Sequence, residues 1–143
     1  MINQKEYKIR RQKLSEFINE GVLVLPGNIS YIRNHDVEFD FRQNSDFWYL
    51  TGFNEPNAIM VMTFASSIEY ILFVEPYDVN YHIWLGERAG IEGAINNFMA
   101  DKAYPINEIN NILPEIISEF SNIYYRNGSN SNIDSIINKY SNS

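Results

Sequence analysis

The chain has 143 residues, of which 45% are hydrophobic and 15% aromatic, and this length suffices to bury roughly two-thirds of the unfolded surface in one domain. Its formal charge of −7 gives no electrostatic attraction to nucleic acid or to anionic lipid. It contains no cysteine, which excludes disulfides, thiolate nucleophiles and zinc-thiolate sites. We therefore expect a single domain over residues 1–143 that binds neither nucleic acid nor membrane.

The N-terminal segment carries the main basic cluster of the chain. Its start, MINQKEYKIRRQK, lacks the apolar core of a signal peptide, and no apolar run in the chain reaches the roughly 18 residues of a membrane span. We expect a soluble, cytoplasmic protein. On a helix the basic cluster spreads around a face that we expect to be solvated, and its members are Lys5, Lys8, Arg10, Arg11 and Lys13.

The first predicted elements are a helix and a buried strand. Residues 4–20 place Tyr7 and Leu14 at near-helical spacing between charged positions, and Gly21 follows as a stop signal. The apolar run over 22–25 is typical of a strand that is buried on both faces. A helix that leads into such a strand indicates an α/β layer.

The middle of the chain predicts a loop and three strands. Residues 28–40 show neither strand nor helix periodicity and predict a loop. The aromatic run over 46–53 (DFWYLTGF) predicts a strand, in which Gly52 permits a turn or a close backbone approach. The apolar runs over 58–64 and 68–75 predict a β-hairpin.

The last part of the chain predicts helices that alternate with short strands. Pro114 lies inside one of these helices, where we expect a kink or a break because proline removes a hydrogen-bond donor. The predicted elements are a helical turn over 78–84, a helix over 90–100, a strand over 103–106, a helix over 107–120, a strand over 122–126 and a helix over 133–140.

Few residues of this chain could carry catalysis. Its two histidines, His35 and His82, lie far apart in no metal-binding spacing, and we expect loop exposure for the first and partial burial for the second. No serine lies in a Gly-x-Ser-x-Gly elbow, and no Walker or Gly-x-Gly-x-x-Gly loop follows a strand. The residues themselves therefore predict no catalytic residue and no metal site.

Two motifs give the chain a family resemblance. Residues 41–56 (FRQNSDFWYLTGFNEP) closely resemble the signature of the N-terminal domain of the aminopeptidase P family, and residues 33–39 also fit it. Residues 84–88 (WLGER) look like the Trp-x-Gly-x-Arg segment of the same family. One departure is Asp40, where family members often carry proline. The resemblance implies an α/β fold with a mixed sheet flanked by helices, like the N-terminal domain of creatinase and prolidase.

The resemblance also implies that the N-terminal and C-terminal domains have different functions. In the family, a C-terminal catalytic domain of the pita-bread fold binds two metal ions, usually manganese, and hydrolyses peptides with proline in the second position. By this resemblance the present chain lacks that domain, holds no metal and is inactive alone. The N-terminal domain then serves assembly into a homo-oligomer and limits access to the active site of a neighbouring subunit.

The resemblance assigns roles to individual residues. Trp84 matches the tryptophan that is associated with a neighbouring subunit's substrate pocket, where an indole offers an apolar face to a proline ring; the alternative is ordinary core or interface packing. Arg88 orders the same loop, or is simply an exposed arginine. Of the first motif, Arg42 and Asp46 are the first choices for a substrate contact. The motif residues to which we assign a structural role in hydrogen bonding or packing are Arg42, Gln43, Asn44, Ser45, Asp46, Phe47, Trp48, Tyr49 and Gly52.

Three hypotheses about function follow from the residues and from the resemblance. The first is the N-terminal domain of an Xaa-Pro aminopeptidase whose catalytic domain lies in the same protein. The second is a stand-alone interaction module that has lost the enzyme domain. The third is a small-molecule-binding α/β domain of the flavodoxin kind, with a ligand at the carboxyl edge of the sheet, although no phosphate loop supports it.

Overall fold

The computed structural model describes residues 3–29, 32–33, 37–38, 43–76 and 89–141. Its strands are β1 Gly21–Pro26, β2 Ile32–Arg33, β3 Val37–Glu38, β4 Ile59–Phe64, β5 Ile68–Val74, β6 Lys102–Pro105 and β7 Ile123–Tyr125. Its α-helices are α1 Gln4–Lys13, α2 Ser45–Thr51, α3 Gly90–Asn96, α4 Ile109–Ser118 and α5 Ser131–Ser141. Short 3₁₀ helices span Leu14–Glu16 and Ile106–Glu108.

The main sheet has five strands in the order β6-β5-β4-β1-β7. The central strand β4 runs antiparallel to β5 and to β1, whereas the outer strands β6 and β7 run parallel to β5 and β1. The sheet is therefore mixed and the predicted α/β class is confirmed. Strands β2 and β3 pair separately, so the predicted loop over 28–40 is wrong at these residues.

Both faces of the sheet are buried. Successive strand residues point to opposite faces, and each face packs in a core of its own. In β4, Met60 packs in a core with Phe47 of α2. Its neighbour Val61 packs in a second core with Leu113 of α4 and Ile133 of α5. Helices therefore cover the sheet on both sides, and the predicted hairpin of β4 and β5 is confirmed.

The predicted strand over 46–53 is wrong, because helix α2 spans Ser45–Thr51. The side chain of Asn44 accepts the backbone N–H of Phe47 at 3.0 Å, which is a typical N-cap. Gly52 ends the helix with a left-handed φ of 65°, the usual position for a terminating glycine. Capping at both ends outweighs the strand preference of the aromatic residues.

Other element boundaries differ less. Helix α1 ends at Lys13, earlier than predicted. Tyr7 is buried, whereas Phe17, which lies in the predicted helical range after the end of α1, is 80% exposed. Helix α4 continues through Pro114, and the predicted break does not occur. The predicted turn over 78–84 lies outside the described residues. Within the part of the chain that the structure describes, no helix combines the length and apolarity that a membrane crossing requires.

Candidate functional site

Two residues of the first motif, Gln43 and Glu55, lie close together at one edge of the sheet. Strand register places Pro26 opposite Ile59 and Ile59 opposite Phe73, so β1 and β5 end, and β4 begins, at the same edge. Six residues join the chain segments at this edge through hydrogen bonds. We call them the polar corner, and they are Asn28, Gln43, Glu55, Asn57, Glu75 and Ala89.

Gln43 is buried in the polar corner and uses both ends of its side-chain amide. Its Oε1 accepts the backbone N–H of Asn28 at 2.8 Å and that of Asn44 at 3.0 Å. Its Nε2 donates to the carbonyl oxygens of Phe53 and Glu55, each at 3.0 Å. Because Asn28 precedes residues 30–42 and Gln43 follows them, this side chain holds both ends of that segment together.

Gly27 makes the approach of Gln43 possible. A Cβ at this position would lie 2.8 Å from Oε1 of Gln43 and 3.1 Å from the carbonyl oxygen of Ala58. The backbone N–H of Gly27 donates to that same carbonyl at 2.8 Å. Any larger residue would therefore displace either the buried amide or the start of β4.

The turn before β4 holds the ends of a second segment, residues 77–88. Nδ2 of Asn57 donates to Oε1 of Glu75 at 2.7 Å, just before the segment begins. Oε2 of Glu55 accepts the backbone N–H of Ala89 at 2.8 Å, just after the segment ends. The polar corner thus brings together the bases of both segments.

Helix α2 leads away from the polar corner and shows why the motif mixes polar and aromatic residues. Phe47 is fully buried. The hydroxyl of Thr51 donates to the carbonyl of Phe47 at 2.7 Å and accepts the N–H of Phe53 at 3.0 Å. Ser45 and Asp46 are exposed in the first turn, where a carboxylate is favoured by the helix dipole.

The aromatic residues on the outer face of α2 are not core residues. Trp48 is 42% exposed and Tyr49 is 55% exposed, so of the three consecutive aromatic residues Phe47 alone is fully buried. Trp48 meets the edge of Tyr7, with ring centroids 6.3 Å apart. The guanidinium of Arg10 lies 4.2 Å from the ring centroid of Tyr49 and donates to the Tyr49 carbonyl at 3.1 Å.

Arg11 departs most from the sequence expectation of a solvated basic face. It is only 3% exposed, whereas Lys5, Lys8 and Lys13 are exposed as predicted. Its Nη1 donates to the carbonyl of Leu50 at 2.8 Å. A cation at the last carbonyls of α2 also complements the helix dipole.

Three predicted site residues, Arg42, Trp84 and Arg88, lie outside the described residues. So do the two histidines, His35 and His82, to which no site role was assigned. Among the residues that the structure does describe, no group of three or more histidine, cysteine, aspartate or glutamate side chains could hold a metal ion. The roles assigned to Arg42, Trp84 and Arg88 stay predictions.

Sequence reasoning singled out only Gln43 and missed the other five members of the polar corner, four of which contribute polar side chains. Asn28 directly follows β1 and Glu75 directly follows β5, while Glu55 and Asn57 flank the proline of the turn before β4. The available signal was that these four polar residues flank apolar strands. Their hydrogen-bond partners could not be predicted, because the order of the strands in the sheet was not known.

The mixed sheet covered by helices on both faces is the fold of the N-terminal domain of aminopeptidase P structures. The model of the family's N-terminal domain, "Aminopeptidase P, N-terminal domain", matches residues 7–124, and the chain belongs to this family.

Three known proteins illustrate the similarity. Xaa-Pro aminopeptidase of Escherichia coli is 34% identical over 140 residues, covering 96% of this chain and 32% of that protein. The solved structure of Pseudomonas aeruginosa aminopeptidase PepP is 40% identical with a TM-score of 0.87, covering 99% of this chain and 32% of that one. Zinc-substituted E. coli aminopeptidase P in complex with product gives 33% identity and a TM-score of 0.88, covering 96% of this chain and 32% of that one. The chain therefore spans about a third of the length of these relatives.

Proposed function

We propose that this chain is the N-terminal, non-catalytic domain of an Xaa-Pro aminopeptidase that releases an N-terminal residue preceding proline. The supporting observation is its family membership over residues 7–124 together with its span of 32% of the E. coli enzyme. The catalytic domain then follows in the same protein, and residues 1–143 form one domain. A cytoplasmic location stays a prediction.

The described residues of this chain do not fit the two manganese ions expected of the parent enzyme. Such a centre needs several carboxylates and imidazoles at one point, and within the described ranges no such group exists. In this proposal the catalytic domain supplies every metal ligand, and this chain contributes no catalytic residue. Its contribution is to shape the approach to a reaction that other residues perform.

The proposed role is assembly into a homo-oligomer and control of access to the active site. Trp84 and Arg88 are the residues proposed to reach the substrate pocket of a neighbouring subunit, where the indole of Trp84 contacts the proline ring of the peptide. Support comes from the bonds of Asn57 to Glu75 and of Glu55 to Ala89. These bonds hold both ends of the segment that carries the two residues, which reduces the entropy lost on binding.

A chimaera tests this role. The chain replaces the corresponding domain of E. coli Xaa-Pro aminopeptidase, and Trp84→Ala is compared with Trp48→Ala, which removes an exposed tryptophan from α2. We expect Trp84→Ala to lower kcat/KM for an Xaa-Pro peptide about tenfold, with Trp48→Ala within about twofold of the unsubstituted chimaera. Equal effects of the two substitutions would refute the assignment of Trp84.

A stand-alone interaction module is the second candidate. The exposed aromatic pair Trp48 and Tyr49 favours a contact surface, because aromatic residues are enriched at protein interfaces. The nucleotide sequence after codon 143 separates the two proposals. An in-frame continuation into a metal-binding domain supports the enzyme, and a stop codon with a stable product supports the module.

A further inference from the structure

A cavity lies at the end of the β4–β5 hairpin opposite to the polar corner. It opens between α1, the turn that carries Ser66 and Ser67, and the chain that follows α3, and it holds about 450 Å³. Pockets for small molecules span about 300–1,000 Å³. No residue of the polar corner lines this cavity, so whatever binds there is independent of the role proposed above.

Arg11 gives the cavity a buried positive charge. Its side chain lines the cavity, and its guanidinium carbon lies 3.8 Å from the ring centroid of Tyr70. Within the described residues the guanidinium makes one hydrogen bond, to the carbonyl of Leu50, and no ion pair. The ring of Tyr70 and the nearby carboxylate of Asp101 favour the charged form of this guanidinium against the cost of burial. Most of its N–H groups make no hydrogen bond within the described part of the chain.

Tyr70 adds a buried donor to the same wall. It is 3% exposed, and its hydroxyl has no hydrogen-bond partner among the described residues. Burial raises the pKa of Tyr70, against the opposing effect of Arg11, so the hydroxyl keeps its proton at neutral pH. Asp101 fixes the backbone here, since its Oδ2 accepts the N–H of Tyr70 and its own N–H donates to the Tyr70 carbonyl, both at 2.8 Å.

Three apolar side chains also line the cavity, those of Met62, Ile68 and Met99. Met99 has a left-handed φ of 64°, which is uncommon for a residue with a long side chain and is usually occupied by glycine. Strained positions of this kind concentrate at binding sites. Here the strain holds a methionine side chain, 38% exposed, at the cavity wall.

We propose that this cavity binds a small monocarboxylate with a short apolar chain. The carboxylate accepts hydrogen bonds from the guanidinium of Arg11 and the hydroxyl of Tyr70, and the apolar chain packs against Met62 and Met99. Lys8, one turn before Arg11 on the same face of α1, adds a second positive charge. Together these two cations outnumber Asp101, the carboxylate that lines the cavity.

The test is a titration of the whole 143-residue chain with three probes. NMR and isothermal titration calorimetry measure the binding of each probe. We expect saturable binding of 4-methylpentanoate, at least about tenfold weaker binding of 4-methylpentanamide, which lacks the charge, and no saturable binding of inorganic phosphate. Failure of the carboxylate to saturate up to about 10 mM would overturn the proposal. So would equal affinity for the acid and the amide, or for the acid and phosphate.

Two substitutions separate binding from folding. Tyr70→Phe removes a hydroxyl that has no partner among the described residues, and Met99→Gly relieves the left-handed φ, so both variants should be at least as stable as the unsubstituted chain. We expect 4-methylpentanoate to bind about tenfold more weakly to Tyr70→Phe and about threefold more weakly to Met99→Gly. Tyr49→Phe, outside the cavity, should bind normally. Unchanged affinity in both stable cavity variants would contradict the assignment.

Discussion

Oε2 of Glu55 accepts the backbone N–H of Ala89 at 2.8 Å, across 34 residues of chain. With the bond from Asn57 to Glu75, it closes the base of the segment that carries Trp84. In this chain, these two bonds and the bonds of Gln43 set where two chain segments leave the sheet. Access control by this domain, as proposed, depends on that geometry.

The first prediction concerns the bond between Asn57 and Glu75. Asn57 has a left-handed φ of 63°, so Asn57→Gly removes the side-chain amide without backbone strain. We expect backbone hydrogen exchange over residues 75–89 to become about fivefold faster, since one hydrogen bond contributes about 1 kcal/mol. Hydrogen-exchange mass spectrometry measures this rate.

Asn111→Ala is the matched control for this prediction. Its Nδ2 donates to Oε2 of Glu108 at 3.1 Å on an exposed helix, so it also loses one bond between an asparagine and a glutamate. Exchange over residues 75–89 should be unaffected by it. Equal exchange rates in the two variants would show that Asn57 does not hold the segment.

The second prediction concerns the amide of Gln43. Gln43→Glu keeps the shape of the side chain, but a carboxylate cannot donate to the carbonyls of Phe53 and Glu55. We expect the free energy of unfolding to fall by about 3 kcal/mol, because buried acceptors lose their donor and a charge is buried. Urea denaturation measures the change. Gln12→Ala, at an exposed position of α1, should change the free energy of unfolding by no more than about 0.5 kcal/mol. An equally small change for Gln43→Glu would argue against a structural role of Gln43.

The third prediction concerns Gly52 at the end of α2. Its φ is 65°, and a Cβ there would lie 2.5 Å from the ring of Tyr7. We expect Gly52→Ala to destabilise the protein by about 3 kcal/mol, from left-handed strain and from displacement of the buried ring. Gly128→Ala provides the comparison, since φ is 92° but nothing lies within 4 Å of the added Cβ. That variant should lose only about 1 kcal/mol, and equal losses would rule out the steric contribution of Tyr7.

The fourth prediction concerns stability at alkaline pH. Burial raises the pKa of Tyr70 above its ordinary value, with Arg11 opposing the shift, so the folded state favours the protonated hydroxyl. This contribution is complete below the unfolded pKa of about 10 and is lost as pH rises above it, by about 1.4 kcal/mol per pH unit until the folded pKa is reached. Tyr70→Phe should therefore lose less stability than the unsubstituted chain between pH 8 and 11. Denaturant titrations measure the free energy of unfolding of both proteins over this pH range. An equal decrease in the two proteins would contradict the prediction.

The strands of the main sheet were predicted from the sequence more accurately than the contacts of the polar corner. The apolar runs of β4 and β5 are buried on both faces, and burial of this kind leaves a clear pattern in the sequence. The helix after Asn44 was misread because a cap acts through one bond between side chain and backbone, which leaves no apolar period. The burial of Arg11 depends on Tyr70 and Leu50, residues that only the tertiary fold brings near it.

The most direct test of the proposed function is turnover of an Xaa-Pro peptide in the presence of Mn²⁺. The 143-residue chain is assayed alone and as a chimaera with the catalytic part of E. coli Xaa-Pro aminopeptidase. We predict no turnover by the chain alone and clear turnover by the chimaera. Hydrolysis by the purified chain alone that a chelator abolishes would contradict the proposal that the reaction is performed by residues outside this chain.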